Sequence, residues 1–362
     1  MKYRKELDKI NSYKPGKPIE ELRREKRLTK IYKLASNEIP FQPDFIKDAV
    51  NKELKNINRY PESSCFYLRE KLAKNFKINP DSIVFGNGSD EIITLALKTF
   101  IGKKDEVIIA YPSFLVYQIQ AQIFGAKVIK APLENYSYCL ERIAKKITKK
   151  TKIIFIANPD NPTGTYINQE KMDNFLKKVP KNVLLFFDEA YFEFAPADFP
   201  KSIDILTRRK NIIITRTFSK AYGLAGLRIG YGITSKKIAK LLNKVREPFN
   251  VNRIAQVSAQ AALENKDFVK KVVSFINKEK SYFYKNLDRL GLSYPESAAN
   301  FILVDFKKDT KKLYEYMLNQ GIIIRELSGW GLDNFFRVTM GTRTQNRKFI
   351  KSLENYIRRM RK

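Results

Sequence analysis

Lys220 lies in a stretch of small and apolar residues that follows the apolar run at 212–214. An amine with such neighbours is poorly hydrated, so its pKa falls and its neutral form can attack a carbonyl. Thr217 and Ser219 precede the lysine and Arg228 follows it, and these groups can hold a phosphate. The stretch therefore predicts a site for a phosphorylated aldehyde that forms an imine with Lys220. A solvated surface lysine is the alternative.

The chain has 362 residues and no histidine. This composition excludes an imidazole base, the Ser-His-Asp and Cys-His nucleophiles and the usual zinc sites, and we predict no metal. A proton shuttle near neutral pH must then be a lysine, carboxylate, tyrosine or cysteine with a perturbed pKa. A Schiff-base lysine meets this need, because its amine is itself a base once it leaves the imine.

Two further groups of polar residues follow apolar runs. Gly88, Ser89 and Asp90 come after the run at 83–85 and open a helix that we predict over 92–100, with Ser89 or Asp90 as its cap. A helix N-terminus attracts anions, so this turn could form the second half of a phosphate site. Asp188 ends the run at 183–187, and a carboxylate there needs a cation or hydrogen-bond donors.

Two arginines occur among apolar residues near the end of the chain. Arg337 lies inside a predicted strand at 336–338, and Arg325 follows the triplet at 322–324. An arginine on a buried strand is costly unless an anion pairs with it, and a substrate carboxylate would do so bidentately. Arg325 could instead be a surface charge at a strand end.

The elements that carry these residues alternate between strands and helices through the middle of the chain, with strands predicted at 83–85, 107–109, 152–156, 183–187 and 212–214. This order predicts an α/β fold with a mostly parallel sheet between helices. Shorter strands and helices after 250 predict a smaller C-terminal α/β domain. We predict an N-terminal arm over 1–40, a large domain over 41–250 and a small domain over 251–362.

Lys and Arg number 69 against 38 Asp and Glu, which gives a formal net charge of +31. The basic residues are scattered and form no stripe with aromatic residues, so we predict no nucleic-acid partner and a field that attracts anionic substrates. No apolar run approaches the length of a membrane span, and the N-terminus has no signal-peptide pattern. Cys65 and Cys139 lack metal or redox spacing and indicate reduced thiols, so we predict a cytoplasmic protein.

Two motifs carry a family resemblance: the stretch at 216–231 and the loop Asn158-Pro159-Asp160-Asn161-Pro162-Thr163-Gly164. The chain resembles the pyridoxal-phosphate (PLP) aminotransferases of fold type I, and among them the histidinol-phosphate aminotransferases. The resemblance extends in order from Tyr13 to Thr342. It implies PLP bound to Lys220, Asp188 at the ring nitrogen, Asn161 and Tyr191 at the 3′ oxygen, Phe114 stacked on the ring, and Gly88, Ser89, Asp90, Thr217, Ser219 and Arg228 around the phosphate.

The resemblance also implies a substrate side and a second subunit. Tyr13, Asn37, Asn161, Arg325 and Arg337 would face the substrate, although Ile39 departs from the asparagine that is usual in its segment. A surface turn is the alternative for Tyr13. Tyr60 would reach across a homodimer interface toward the cofactor phosphate and substrate of the partner.

The implied reaction is transamination of L-histidinol phosphate with 2-oxoglutarate, which gives imidazole acetol phosphate and glutamate in histidine biosynthesis. Lys220, Asp188 and Tyr191 would be the catalytic residues. Aromatic amino acid transamination and decarboxylation of threonine phosphate remain alternatives within the same fold. A PLP-binding regulator is the non-enzyme alternative, and it would carry a DNA-binding domain that no segment of this sequence indicates.

Overall fold

A computed structural model of the chain describes residue 1 and residues 3–361. The strands are β1 (Tyr32–Lys33), β2 (Ile83–Gly86), β3 (Glu106–Tyr111), β4 (Lys127–Pro132), β5 (Thr151–Ala157), β6 (Leu184–Asp188), β7 (Ile212–Thr217), β8 (Gly230–Thr234), β9 (Phe301–Asp305), β10 (Ile322–Ile323), β11 (Arg325–Glu326) and β12 (Phe335–Thr339). The α-helices are α1 (Ile19–Lys26), α2 (Lys47–Glu53), α3 (Phe66–Phe76), α4 (Ser89–Phe100), α5 (Leu115–Ile123), α6 (Leu140–Lys145), α7 (Gln169–Leu176), α8 (Ser202–Arg208), α9 (Lys236–Val245), α10 (Arg253–Glu264), α11 (Lys266–Leu290), α12 (Lys311–Asn319) and α13 (Arg343–Arg361).

The largest sheet has seven strands in the order β2-β8-β7-β6-β5-β3-β4. All of them run parallel except β8, which is antiparallel to both of its neighbours. The strands β2, β6, β7 and β8 are buried along their whole length. Such continuous apolar runs are typical of a parallel sheet that helices cover on both faces. The predicted α/β fold with a mostly parallel sheet is therefore confirmed.

The parallel strands place the candidate residues at one edge of this sheet, because their carboxyl ends all lie there. Asp188 is the last residue of β6, and Thr217 is the last residue of β7. The loop with Asn161 follows β5, and Phe114 follows β3. One sheet edge thus collects side chains that lie far apart in the sequence.

A second, three-stranded antiparallel sheet has the order β11-β12-β9. Its apolar side packs with α11, α12 and α13 around a core that includes Ile276, Phe283, Leu313 and Phe349. The helix α10 packs with the core of the large sheet instead. The domain division at 250 remains a prediction.

The segment before α2 connects the N-terminal part of the chain to the small sheet. β1 pairs in parallel with β10, and the backbone of Leu34 bonds to Ile323 and Thr339. These bonds carry the chain from Leu34 to Asn37 past the carboxyl edge of the large sheet. Asn37 adopts a left-handed φ of 57° and lies buried.

Among the described residues, no helix combines the length and the apolar character that crossing a membrane requires. Within the same residues, no group of three or more cysteine, aspartate or glutamate side chains is arranged to hold a metal ion.

Candidate active site

A cavity of about 330 Å³ opens between the carboxyl edge of the large sheet, the small sheet and the N-terminal segment. This volume falls within the range of small-molecule sites. The cavity lining includes these predicted site residues: Tyr13, Asn37, Ser89, Asp90, Phe114, Asn161, Asp188, Tyr191, Thr217, Ser219, Lys220, Arg228, Arg325 and Arg337. Gly88 and Tyr60 do not belong to the lining.

Lys220 follows β7 and places its amine in this cavity. Its Nζ donates a hydrogen bond to the backbone oxygen of Ser36 at 3.3 Å and lies 5.6 Å from the centre of the Tyr191 ring. Burial, together with the smaller effect of the nearby charge of Arg337, lowers the pKa of Lys220 to about 8. The neutral amine is therefore accessible near physiological pH, which is the condition for a nucleophile or base.

Groups that could bind an anion lie where α4 and the Lys220 segment meet. Gly88 precedes α4 with a φ of 80°, and a Cβ at this position would collide with Nη2 of Arg228. Arg228 donates to Oγ of Ser219 at 3.4 Å and lies 3.6 Å from the carboxylate of Asp90. The unpaired N–H groups at the start of α4, a guanidinium and a hydroxyl thus converge on the same place.

The predicted cap of α4 is wrong. The N-cap is Gly88, and Ser89 and Asp90 lie inside the first turn without a side-chain capping bond. The helix begins at Ser89, three residues before the predicted start. A positive φ at Gly88 makes this early start possible, because glycine adopts that conformation without strain.

Asp188 is buried at the end of β6 and accepts three hydrogen bonds. Tyr117 donates from its hydroxyl at 2.5 Å, Thr215 donates at 3.3 Å, and the backbone N–H of Ala190 donates at 3.2 Å. Burial nevertheless raises the pKa of Asp188 to about 6. The carboxylate is held rigidly and lacks a cationic partner among the described residues, so a cationic ring nitrogen in the cavity would complete it.

Arg337 lies on β12 and is 5% exposed. Its Nη1 donates to Oδ1 of Asn161, and its Nη2 donates to the backbone oxygen of Ala35 at 2.8 Å. Its Nε has no hydrogen-bond partner within the described part of the chain. Burial lowers the pKa of Arg337 to about 10. A buried guanidinium with a free N–H and no carboxylate partner suits a substrate anion.

Asn37 and Tyr191 line the cavity beside Arg337. The amide of Asn37 donates to the hydroxyl of Tyr191 at 2.8 Å, and the hydroxyl of Thr339 donates to Oδ1 of Asn37 at 3.0 Å. These bonds fix the side chain of Asn37 between the N-terminal segment and β12. The hydroxyl of Tyr191 is thereby oriented on the cavity wall.

Arg325 lies directly opposite Arg337 in the antiparallel pair of β11 and β12. Its guanidinium carbon is 5.8 Å from the ring centre of Tyr13, and its Nη2 donates to the backbone oxygen of Lys14. The cavity wall therefore carries two adjacent cations. This arrangement can bind one dianion or two different anionic groups.

Tyr60 lies on the surface instead of in the cavity of its own chain. It is 76% exposed and stacks on Phe249 with the ring centres 4.7 Å apart. Leu54, Ile57, Phe66 and Tyr67 are also exposed apolar side chains. The position of Tyr60 leaves it free to contact another chain.

Comparison with known proteins identifies the family of the chain. A family model described as aminotransferase class I and II matches residues 29–353. A histidinol-phosphate aminotransferase of Moorella thermoacetica is 42% identical over 98% of this chain and 93% of its own length. One of Caldicellulosiruptor saccharolyticus is 41% identical over 98% of this chain and 100% of its own length.

The chain belongs to the class I and II aminotransferases, among the histidinol-phosphate aminotransferases.

A solved structure of this family agrees with the fold. The histidinol-phosphate aminotransferase of Sinorhizobium meliloti, in complex with pyridoxal 5′-phosphate, superposes with a TM-score of 0.91 at 26% identity, over 99% of this chain and 98% of that one. Fold type I and membership in an enzyme family of aminotransferases, as predicted from the sequence, are confirmed.

The cavity fits PLP, the cofactor of this aminotransferase family. The absence of a side chain at Gly88 leaves a cradle at the start of α4 that a Cβ would fill. Arg228 and the hydroxyls of Thr217 and Ser219 border this cradle and suit a phosphate. Asp188 and Lys220 line the same cavity and suit a pyridine nitrogen and an aldehyde.

Tyr117 is one residue for which the sequence analysis predicted no role. It is fully buried, donates to Asp188 and stacks on Phe155 with the ring centres 4.8 Å apart. Its position three residues after Phe114 on the same helical turn is a weak signal that both rings face one side. Its carboxylate partner could not be recognised from that spacing.

Proposed function

We propose that this aminotransferase transfers the amino group of L-histidinol phosphate to 2-oxoglutarate and forms imidazole acetol phosphate and glutamate. The observation that supports this substrate pair best is the position of Arg325 opposite Arg337 on the wall that faces Lys220. One substrate carries a phosphate and the other carries two carboxylates. A pair of adjacent arginines can serve both in turn.

Lys220 holds the cofactor and moves the proton. When bound, PLP withdraws electrons from the substrate α-carbon. Lys220 Nζ, once free of the cofactor, would take the proton from that α-carbon and deliver it to C4′ of the cofactor within the same half-reaction. Its lowered pKa of about 8 supports this role, because a base works best when its pKa lies near the working pH.

The other cavity residues bind and orient the cofactor. Asp188 stabilises the protonated ring nitrogen, Asn161 and Tyr191 hold the 3′ oxygen, and Phe114 covers one face of the ring. The phosphate is held by the group at the start of α4 and after β7: Gly88, Ser89, Asp90, Thr217, Ser219 and Arg228.

Arg337 binds the α-carboxylate of glutamate or 2-oxoglutarate. Histidinol phosphate lacks that carboxylate, so its phosphate uses Arg325, with Tyr13 and Asn37 lining the same side of the cavity. The hydrogen bonds of Arg337 go to the neutral oxygens of Asn161 and Ala35, which leaves its charge without an anionic partner among the described residues and supports a role in binding an anion.

The active enzyme is a homodimer in which Tyr60 contacts the cofactor phosphate and substrate of the partner subunit. The exposure of Tyr60 and of the apolar side chains near it supports this assembly. Each subunit has an arm over 1–40, a large domain over 41–250 and a small domain over 251–362, which enclose the substrate. The free thiols of Cys65 and Cys139 support a cytoplasmic location.

A panel of amino donors tests the proposal. The holoenzyme is mixed in single turnovers with L-histidinol phosphate, glutamate, phenylalanine, tyrosine and phosphothreonine, and absorbance follows conversion of the cofactor to its amino form. We expect fast conversion by histidinol phosphate and glutamate. Fast conversion by the aromatic amino acids alone would assign aromatic transamination, and release of CO₂ from phosphothreonine would assign decarboxylation.

A pair of arginine variants sharpens this test. Arg325→Ala should slow the reaction of histidinol phosphate more than that of glutamate. Arg358→Ala is the matched control, because Arg358 lies on α13 with its side chain 72% exposed. The control should change neither reaction.

A further inference from the structure

Trp330 is the only tryptophan of the chain. It ends the short 3₁₀-helix Ser328–Trp330 that connects β11 to β12, and it is 2% exposed. It belongs to an apolar cluster with Leu303 and Leu327, against which Leu115 packs. A buried aromatic residue is ordinarily only part of the core, but two contacts of this ring lead to opposite walls of the cavity.

The first contact leads to the side of the cavity that Arg325 and Arg337 form, which we call the substrate wall. The guanidinium carbon of Arg325 lies 5.0 Å from the centre of the Trp330 ring, within the distance of a cation–π interaction. The other contacts that hold this guanidinium come from Tyr13 and Lys14 in the N-terminal segment. Trp330 is thus the residue of the β11–β12 connection that contacts the Arg325 guanidinium.

The second contact leads to the side of the cavity that Phe114, Asp188 and Lys220 form, which we call the cofactor wall. Nε1 of Trp330 donates to the backbone oxygen of Ser113 at 2.9 Å, and Ser113 directly precedes Phe114. A buried indole N–H usually finds such an acceptor. Leu115, on the other side of Phe114, packs against the Trp330 cluster. Trp330 therefore bonds to the residue before the Phe114 ring, and the cluster of Trp330 packs with the residue after it.

Ser113 is itself fixed by a buried polar group. Its hydroxyl donates to Asp160 at 2.6 Å and lies 2.8 Å from the hydroxyl of Tyr138. Asp160 also accepts a hydrogen bond from the hydroxyl of Thr163 at 2.9 Å. Asp160 precedes Asn161 in the loop after β5. The acceptor of the Trp330 N–H is thus connected to the loop that carries another cavity residue.

We propose that Trp330 is a positioning residue that sets the separation between Phe114 and Arg325. This separation determines how far from the cofactor ring a donor can carry its distal anionic group. Trp330 thereby favours donors with a distal phosphate over glutamate, which is held mainly through its α-carboxylate at Arg337. The proposal rests on the proposed function, because it needs Arg325 to bind the distal group.

Two substitutions separate the two contacts of the ring. Trp330→Leu removes both the aromatic face and the N–H. Trp330→Phe keeps a smaller aromatic face for Arg325 and removes the N–H. Phe306→Leu is the matched control, because Phe306 is 7% exposed in the core of the same domain and does not line the cavity.

Steady-state kinetics of the holoenzymes give the readout. For Trp330→Leu we expect the KM for histidinol phosphate to rise roughly tenfold, with kcat and the KM for glutamate within roughly threefold of wild type. The KM of Trp330→Phe for histidinol phosphate should lie much closer to the wild-type value than that of Trp330→Leu. A residue that only stabilises the core would lower the amount of folded enzyme and leave both KM values unchanged, as Phe306→Leu should.

Inorganic phosphate provides a readout that does not need histidinol phosphate. It should inhibit the glutamate half-reaction of the wild-type holoenzyme, and Trp330→Leu should weaken this inhibition roughly tenfold. If the wild-type enzyme does not react with histidinol phosphate, the proposed function is wrong. Inhibition by phosphate would still test the role of Trp330 in that case. Equal KM values and equal inhibition in wild type and Trp330→Leu would overturn that role, as would a wild type that phosphate does not inhibit.

Discussion

The wall of the cavity on the large sheet and the wall on the small sheet satisfy their polar groups differently. Asp188 on the large sheet accepts three hydrogen bonds from side chains and backbone of its own domain. Arg337 on the small sheet keeps its Nε without a partner in the described residues, and it faces a second cation, Arg325, across the strand pair. The large-sheet wall thus satisfies its carboxylate with hydrogen bonds from the protein and lacks only a cation, which the cofactor would supply.

This difference matches what each wall would bind. A cofactor that stays through many turnovers is held best by groups that are already rigid, because little ordering is needed on binding. A substrate that enters and leaves needs donors that are free when it arrives. The cation pair is costly in the empty cavity, and that cost makes an arriving anion favourable.

Replacing Lys220 should have the largest effect. Lys220→Ala removes both the covalent anchor and the base, so we expect the single-turnover rate with any donor to fall by roughly 10⁴-fold or more. Lys236→Ala, at an exposed lysine that begins α9, is the control and should keep wild-type rates. A Lys220→Ala enzyme with more than roughly a tenth of wild-type activity would refute the assignment.

Replacing Asp188 should have the next largest effect on the cofactor wall. Asp188→Asn keeps the shape but removes the charge that stabilises a cationic ring, so we expect a loss of roughly 10²–10³-fold in kcat. Tyr117→Phe removes one of the donors to Asp188 and should cost less, roughly tenfold. A larger loss for Tyr117→Phe than for Asp188→Asn would show that the hydroxyl acts independently of the carboxylate.

Replacing Arg337 should affect the substrate wall without weakening the apoprotein. For Arg337→Met we expect kcat/KM with glutamate to fall roughly 10²-fold, because a bidentate contact with the carboxylate is lost. The free energy of unfolding of the apoprotein should fall by less than about 1 kcal/mol, because the buried charge has no carboxylate partner. Chemical denaturation measures it, and a loss of several kcal/mol would mean that Arg337 is mainly structural.

The pH dependence of stability should reveal the buried amine of Lys220. Its pKa is about 8 in the folded protein against 10.5 for the unfolded chain, so the unfolded state binds more protons between these values. The free energy of unfolding of wild-type apoprotein, relative to Lys220→Met, should therefore rise between pH 8 and 10.5, by a few kcal/mol. A flat difference between the two proteins over this range would show that the amine is solvated.

Local patterns predicted Asp188, Lys220 and the turn before α4, because each follows a strand or a run of apolar residues, whereas Phe114, Asn161 and Tyr191 were expected only from the family resemblance. Asp188 ends an apolar run, and Lys220 stands in a distinctive stretch. Arg337 was predicted in the same way, because a charge inside a strand is conspicuous. The start of α4 was mispredicted. Ser89 and Asp90 are residue types that often cap helices, but the N-cap is Gly88, whose positive φ lets the helix begin at Ser89.

Tyr117 and Trp330 could not be assigned roles from local patterns. Tyr117 acts on a carboxylate 71 residues away, and Trp330 donates to a carbonyl 217 residues away. Tyr117 lies in an apolar segment and Trp330 lies between two glycines, and each looks like an ordinary core residue in the sequence. Only the folded arrangement of the two sheets shows which polar atom each ring supports.

The most direct test of the account identifies the lysine that binds the cofactor. The protein is incubated with PLP and reduced with borohydride, which makes the bond to the amine permanent, and its peptides are analysed by mass spectrometry. The account predicts the added cofactor mass on the peptide that contains Lys220 and its absence from the Lys220→Ala protein. Cofactor mass on a different lysine, or a protein that remains unmodified, would contradict it.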